Sequence, residues 1–250
     1  MVQPSERAEF ALRLGDDALV LSQRLCEWNA AAPTLEEDIA MTNVGLDFLG
    51  RARMLLQYAG GLLEQSEDQL AFLRDAHAFR NLLIVELPIG DFAFTLTRQY
   101  LLDAFEGLYF ARLTNSADET LAAIAGKTLK EVDYHQRRSA EWMRRLGLGT
   151  EESHRRTQAA VEEVWGYVGE FFLMDELESR LVEAGIAVDR RELESPWRET
   201  VGAMLTGIEI EPPSDDWQVS GGRNGVHTEH LGHMLSDMQF MQRTYAGLKW

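Results

Sequence analysis

The sequence predicts an all-α bundle: four long helices followed by further helices toward the C-terminal end. Apolar residues recur in steps of four and three along successive long stretches, which lines one face of a helix. Strand-like alternation never persists for more than a few residues. Helix breakers, including Pro33, Gly60-Gly61, Pro88 and Gly147-Leu148-Gly149, fall between the periodic stretches.

The first helix is expected from about Ser5 to Trp28, with Phe10, Leu14, Ala18, Leu21, Leu25 and Trp28 as its inner stripe. Thr34 opens the second through a capping box to Glu37, and Leu35, Ile39, Thr42, Leu46, Leu49 and Leu56 continue the period to Gly60-Gly61. These two helices read as an antiparallel hairpin. The pattern stays helical from Glu67 to Glu86. Asp91 then caps a third core helix to Thr114, with Phe92, Leu96, Gln99, Tyr100, Phe105 and Phe110 near its buried face. Ser116 and Glu119 suggest another capping box, opening a fourth helix that runs to Leu146. A helical stretch is expected from Thr150 to about Ala184, with Gly185 ending it. Asp189 caps a short helix, Pro196 opens another to about Ile208, and the last covers about Thr228 to Tyr245. The run from Glu211 to Gly225 is the least helical. No interior linker separates two cores, so a single domain over 1–250 is expected, its core bundle at about 5–184 and a helical appendage at about 185–250.

Composition narrows the function classes. A chain of 250 residues with 45% apolar and 26% charged residues has the make-up of a folded globular protein. Its net charge of −17 disfavours nucleic acid and anionic membranes, which select for basic patches. No stretch approaches the roughly 18 apolar residues of a membrane span. The N-terminus has no basic region leading into an apolar run, so a cytoplasmic protein is expected. A lone cysteine, Cys26, makes no internal disulfide and reads as a packing residue of the first helix.

The chemistry centres on Lys130-Glu131-Val132-Asp133-Tyr134-His135 in the fourth long helix. Carboxylate-bridged di-iron bundles place a Glu-x-x-His pair on each of two helices, because residues three apart share a face and reach one core site. Here the position three before His135 is Val132, whose isopropyl group cannot coordinate iron. In the second helix the equivalent window is Asp47-Phe48-Leu49-Gly50, an Asp-x-x-Gly with no imidazole. Asp47 also reads as an i, i+4 partner of Arg51. Asp16, Asp17, Asp103 and Glu106 have no spacing that separates a ligand from a solvated face. His227, His230 and His233 diverge around a helix and favour hydrogen-bonding or interface roles over one shared ion. The loop Gly221-Gly222-Arg223-Asn224-Gly225 precedes a helix and has room to receive an anion.

Several stretches carry a resemblance. They are Leu12-Arg13-Leu14-Gly15-Asp16 with Leu19-Val20-Leu21-Ser22-Gln23-Arg24-Leu25, Asn43-Val44-Gly45-Leu46-Asp47 with Leu49-Gly50-Arg51-Ala52-Arg53, and Asn81-Leu82-Leu83-Ile84-Val85-Glu86. Lys130-Glu131 with Tyr134-His135, and Gly225-Val226-His227-Thr228-Glu229-His230-Leu231-Gly232, complete the set. In this order the chain resembles the C subunits of the bacterial ring 1,2-phenylacetyl-CoA epoxidases, multicomponent oxygenases of aerobic phenylacetate degradation. The resemblance implies a ferritin-like four-helix bundle with additional C-terminal helices, in a subunit without catalytic residues, metal or cofactor of its own. Asp47, Gly50, Val132 and His135 then mark a vestigial metal site, with Asp47, His135 and nearby cations joined in a hydrogen-bonded network. The di-iron centre belongs to the catalytic A subunit, held in a tight hetero-oligomer, and electrons come from NADPH through a separate reductase with flavin (FAD) and iron–sulfur groups. The alternative is a di-iron oxygenase subunit that binds metal through an unconventional set such as Asp47, Glu131 and His135.

Overall fold

The computed structural model describes residues 2–248, and those residues form ten α-helices joined by turns and four short 3-10 segments, with no strand among them. In chain order these are α1 (Pro4–Cys26), α2 (Leu35–Leu63), α3 (Glu67–Phe72), α4 (Leu83–Glu86) and α5 (Phe92–Leu113), then α6 (Glu119–Gly147), α7 (Glu151–Val164), α8 (Glu176–Glu183), α9 (Glu194–Gly207) and α10 (Glu229–Thr244). The chain divides into two compact units, Met1–Pro88 with Gly221–Trp250, and Ile89–Ser220.

In the first unit α1 and α2 pack antiparallel. A Cβ on Gly15 would lie 3.1 Å from Leu56, and one on Gly45 would lie 3.5 Å from Leu25, so the early part of one helix meets the late part of the other. Ser22 Oγ donates to the Gly45 carbonyl at 2.8 Å across this close approach. Thr34 caps α2 as expected, its hydroxyl accepting from the Glu37 N–H. The buried face of α2, however, is Met41, Val44, Phe48, Ala52, Leu55, Leu56 and Ala59. Leu35, Ile39, Leu46 and Leu49, expected inside, are 39–71% exposed. Both sides of α2 carry apolar residues at helical spacing, and α1 covers only the side that Gly45 opens.

Three expectations fail along the connections. The stretch from Glu67 to Glu86 is not continuous helix but α3, a 3-10 turn at Ala76–Ala78 and α4. Carboxylates of α1 capture its backbone instead: buried Asp16 accepts from the Arg80 N–H at 2.9 Å and half-buried Asp17 from the Leu82 N–H at 2.7 Å. The expected helix from Thr150 to Ala184 is broken by a 3-10 segment at Trp165–Phe172. There the close fit of Trp217 against Gly166, and the hydrogen bond from Val219 N–H to the Gly166 carbonyl at 2.7 Å, replace regular helix. At the start of α6 the cap is Asp118, accepting from Thr120 and Leu121 N–H, while Ser116 Oγ donates to the Ile186 carbonyl. Cys26 is exposed rather than packed in the core, at the end of α1.

In the second unit α5 is buried around nearly its whole circumference and packs against α6, α7 and α9. A helix covered on all sides needs apolar residues all round, and its sequence FAFTLTRQYLLDAFEGLYFARL supplies them. Phe105 stacks on Phe171 at 4.8 Å, and Trp197 Nε1 donates to the Leu101 carbonyl at 2.9 Å, which fixes α9 against α5.

Candidate functional site

The two windows lie on α2 and α6, one in each unit. On α2, Asp47 is half-buried, and open space lies where a Cβ on Gly50 would point. Beside them the fully buried Arg51 sits with its guanidinium 4.4 Å from the Phe48 ring centroid. On α6, Val132 and His135 are 0% and 1% exposed. They belong to one inward stripe, Thr128, Val132, His135, Ser139 and Met143. A Cβ on Gly107 of α5 would meet Val132 Cγ1 at 4.0 Å and Gln136 Oε1 at 3.2 Å. Position 132 is therefore where α5 and α6 close on each other, and its side chain packs.

These residues do not fit a di-iron centre. One window offers a hydrocarbon in place of a carboxylate, and the other offers no side chain in place of an imidazole. Glu131, the nearest substitute, is half-buried on the neighbouring face with its carboxylate 3.9 Å from Lys127 Nζ. Among the described residues no group of three or more His, Cys, Asp or Glu is placed to hold a metal ion.

Instead the interior holds hydrogen-bonded polar groups. In the second unit Asp103, fully buried, accepts from Gln99 Nε2 at 2.7 Å and from Ser139 Oγ at 2.7 Å, one turn along α6 from His135. Glu106 and Arg98 of α5 are buried too. Sequence spacing left Asp103 unassigned because its partner Ser139 lies on another helix.

The first unit uses its carboxylates differently. Asp16 is fully buried and grips both terminal nitrogens of Arg74. Asp17 receives both terminal nitrogens of Arg223, at 3.1 and 2.7 Å, and Arg223 also donates to the carbonyls of Arg13 and Arg80. The glycine-rich loop thus receives an anion, and that anion is Asp17 of the same chain. Fully buried Glu86 accepts from Asn81 Nδ2, from the Thr228 N–H at 2.7 Å and from His227 Nδ1 at 3.0 Å. His227 precedes α10 rather than lying in it, and its Nε2 faces the Phe79 carbonyl at 3.0 Å. A ring with an oxygen acceptor at each nitrogen satisfies both only as the imidazolium. Burial pushes the His227 value down, but the hydrogen bond and charge of Glu86, the Phe79 carbonyl and the charge of Asp16 outweigh it and leave it raised. His230 contributes its carbonyl to Arg24, and His233 is exposed, so the three histidines do not converge on an ion.

Comparison with known proteins adds two findings. A family model described as phenylacetic acid catabolic protein matches residues 2–250. The chain is also 48% identical over 242 residues to the C subunit of the 1,2-phenylacetyl-CoA epoxidase of Escherichia coli (strain K12), covering 96% of this chain and 98% of that protein.

Proposed function

The chain belongs to the phenylacetic acid catabolic protein family, and on that footing we propose that it is a metal-free, non-catalytic subunit of a multicomponent phenylacetyl-CoA epoxidase, stabilising a di-iron catalytic subunit packed against it. Its fold is the all-α, ferritin-like fold of that family. The observation that carries the reading is Val132: a buried packing residue at the position where an inward Glu-x-x-His helix needs its carboxylate. The companion position Gly50 lacks its ligand as well. Oxygen chemistry, NADPH-derived electrons and the CoA thioester then belong to the partner subunits, and the work of this chain is to hold a shape. A cytoplasmic location is part of the proposal, and none of the described helices is long and apolar enough to cross a membrane.

The outward side of α2 supports the docking half of the proposal. Leu35, Ile39, Leu46 and Leu49 form an exposed stripe on one side of the helix, and Gly50 at its edge leaves room for a second helix to approach. A second copy of this chain would bring another −17 of charge to the contact, so a different, less acidic ferritin-like subunit is the occupant the charge favours. Covering each half-exposed side chain contributes roughly 1–2 kcal/mol.

Iron analysis tests the reading directly. The chain purified alone is expected to be iron-free, and the chain co-expressed with its catalytic subunit is expected to carry iron in the partner. About two iron atoms per molecule of the chain alone, the number a di-iron bundle holds, would overturn it. Replacing Ile39 and Leu46 together by Glu is expected to abolish co-purification while leaving the helical circular dichroism of the isolated chain intact.

A further inference from the structure

A groove of about 710 Å³ opens in the second unit between α6 and α9, with Tyr100 of α5 at its floor. Two of its lining residues are unusual for this molecule. Acidic side chains outnumber basic ones 41 to 24, yet Arg137 and Arg144 have no carboxylate within ion-pair distance among the described residues. Their hydrogen bonds go to carbonyls one turn back on their own helix, Arg137 Nε to Asp133 at 3.1 Å and Arg144 Nη1 to Ala140 at 3.5 Å. The adjacent Arg145 shows the ordinary outcome, since it pairs with Glu141. Residues seven apart stand two helical turns from each other on one face, about 10 Å along the axis, so both guanidinium groups reach the same groove.

Tyr100 is the second observation. The residue is only 2% exposed, its hydroxyl makes no hydrogen bond among the described residues, and it lines the groove. Burial, opposed only in part by the charge of Arg144, holds its phenol up at about 12, so it stays a proton donor at any physiological pH. Met204 and Ile208 of α9 and the turn after it, with Leu148, supply an apolar wall beside these donors, and the carboxylate of the lining, Glu141, is engaged by Arg145. Convergent cationic and neutral donors next to an apolar wall are the make-up of a site for an amphipathic anion.

We propose that this groove binds a small organic anion, with a carboxylate or phosphate monoester head between Arg137 and Arg144 above the Tyr100 hydroxyl and an apolar body against Met204 and Leu148. The proposal stands whether or not the chain is a structural subunit. It requires no chemistry at the site, only recognition.

Calorimetric titration of the purified full chain with 1-naphthylacetate, 1-naphthyl phosphate and neutral 2-(1-naphthyl)ethanol tests it and separates the two head groups. One or both anions are expected to bind saturably, one per chain, and the alcohol is not. Losing two charge-assisted contacts in the R137Q/R144Q double variant is expected to weaken binding by at least roughly tenfold, and Tyr100→Phe by roughly three- to tenfold. Arg112→Gln, which removes an exposed arginine of α5 whose partner Glu192 also lies outside the groove lining, is expected to leave affinity unchanged. No saturable binding of either anion up to millimolar concentration overturns the proposal. So does equal binding of the alcohol, or an R137Q/R144Q affinity equal to wild type; both arginines are exposed on α6, so this variant is expected to fold.

Discussion

Helices α2 and α6 are both 29 residues long, each carries one of the two paired windows, and they turn opposite kinds of surface outward. The exterior of α6 is charged, with Lys127, Asp133, Arg137, Glu141, Arg144 and Arg145 exposed. Its only large exposed apolar residues are Tyr134 and, just past its end, Leu148. Helix α2 instead leaves four large aliphatic side chains uncovered while burying a second apolar side beneath α1. A helix with one apolar side is finished by its own chain, whereas a helix with two needs a further surface to cover the second. The difference teaches that α1 covers one of the two apolar sides of α2 and leaves the other open, while the open side of α6 is charged.

The units differ in their inward carboxylates as well. Asp16 and Asp17 of α1 hold arginines and loop backbone far along the chain, while Asp103 of α5 accepts from Gln99 on its own helix and Ser139 on the neighbouring α6. Removing the Asp16 carboxylate strands the Arg74 cation. Asp16→Ala is therefore expected to destabilise the chain by about 3–5 kcal/mol, because it leaves the mostly buried Arg74 uncompensated. Urea denaturation measures this, and a loss under about 1 kcal/mol would mean that the carboxylate is dispensable to the loop it clamps.

The two sides of α2 are separated by the next comparison. Phe48→Ala, at a fully buried position, is expected to cost about 3–5 kcal/mol of stability in the isolated chain. Leu46→Ala, two residues earlier and half-exposed, is expected to cost under about 0.5 kcal/mol in the same assay and to act only on association with the partner. Comparable losses for both variants would break the division of α2 into an inner and an outer side.

The smallest effect concerns the contact before α10. The folded-state value of His227 is raised, so its contribution is fully present below the ordinary histidine value of about 6.5 and is lost as pH rises through the raised folded value. The unfolding midpoint of the wild-type chain is expected to fall as pH climbs through that window. His227→Gln is expected to flatten the dependence, and an unchanged slope would assign it to another group.

Much of the fold was legible because helix formation is written in local spacing. Thr34 and Asp91 cap α2 and α5 as their sequence context predicts, and Gly147 ends α6. The segments that misled are those where distant groups replace helical hydrogen bonds. Nothing within residues 67–86 announces that Asp16 and Asp17 will capture the Arg80 and Leu82 amides. The same holds at Gly166, where Trp217 arrives from about fifty residues downstream. His227 read as one of three helical histidines, and only the position of Glu86 reveals it as half of a buried ion pair.

By itself the sequence determined the long helices and the caps at Thr34 and Asp91, and it put side chains without ligand atoms, a valine and a glycine, at positions 132 and 50. Burial is different, since it belongs to a residue and its neighbours together. Only the tertiary structure decided which of two apolar sides of α2 lies under α1, which acids become internal clamps, and that two arginines and a tyrosine share one groove. Helical periodicity places a residue on a face, and packing decides whether that face meets protein or water.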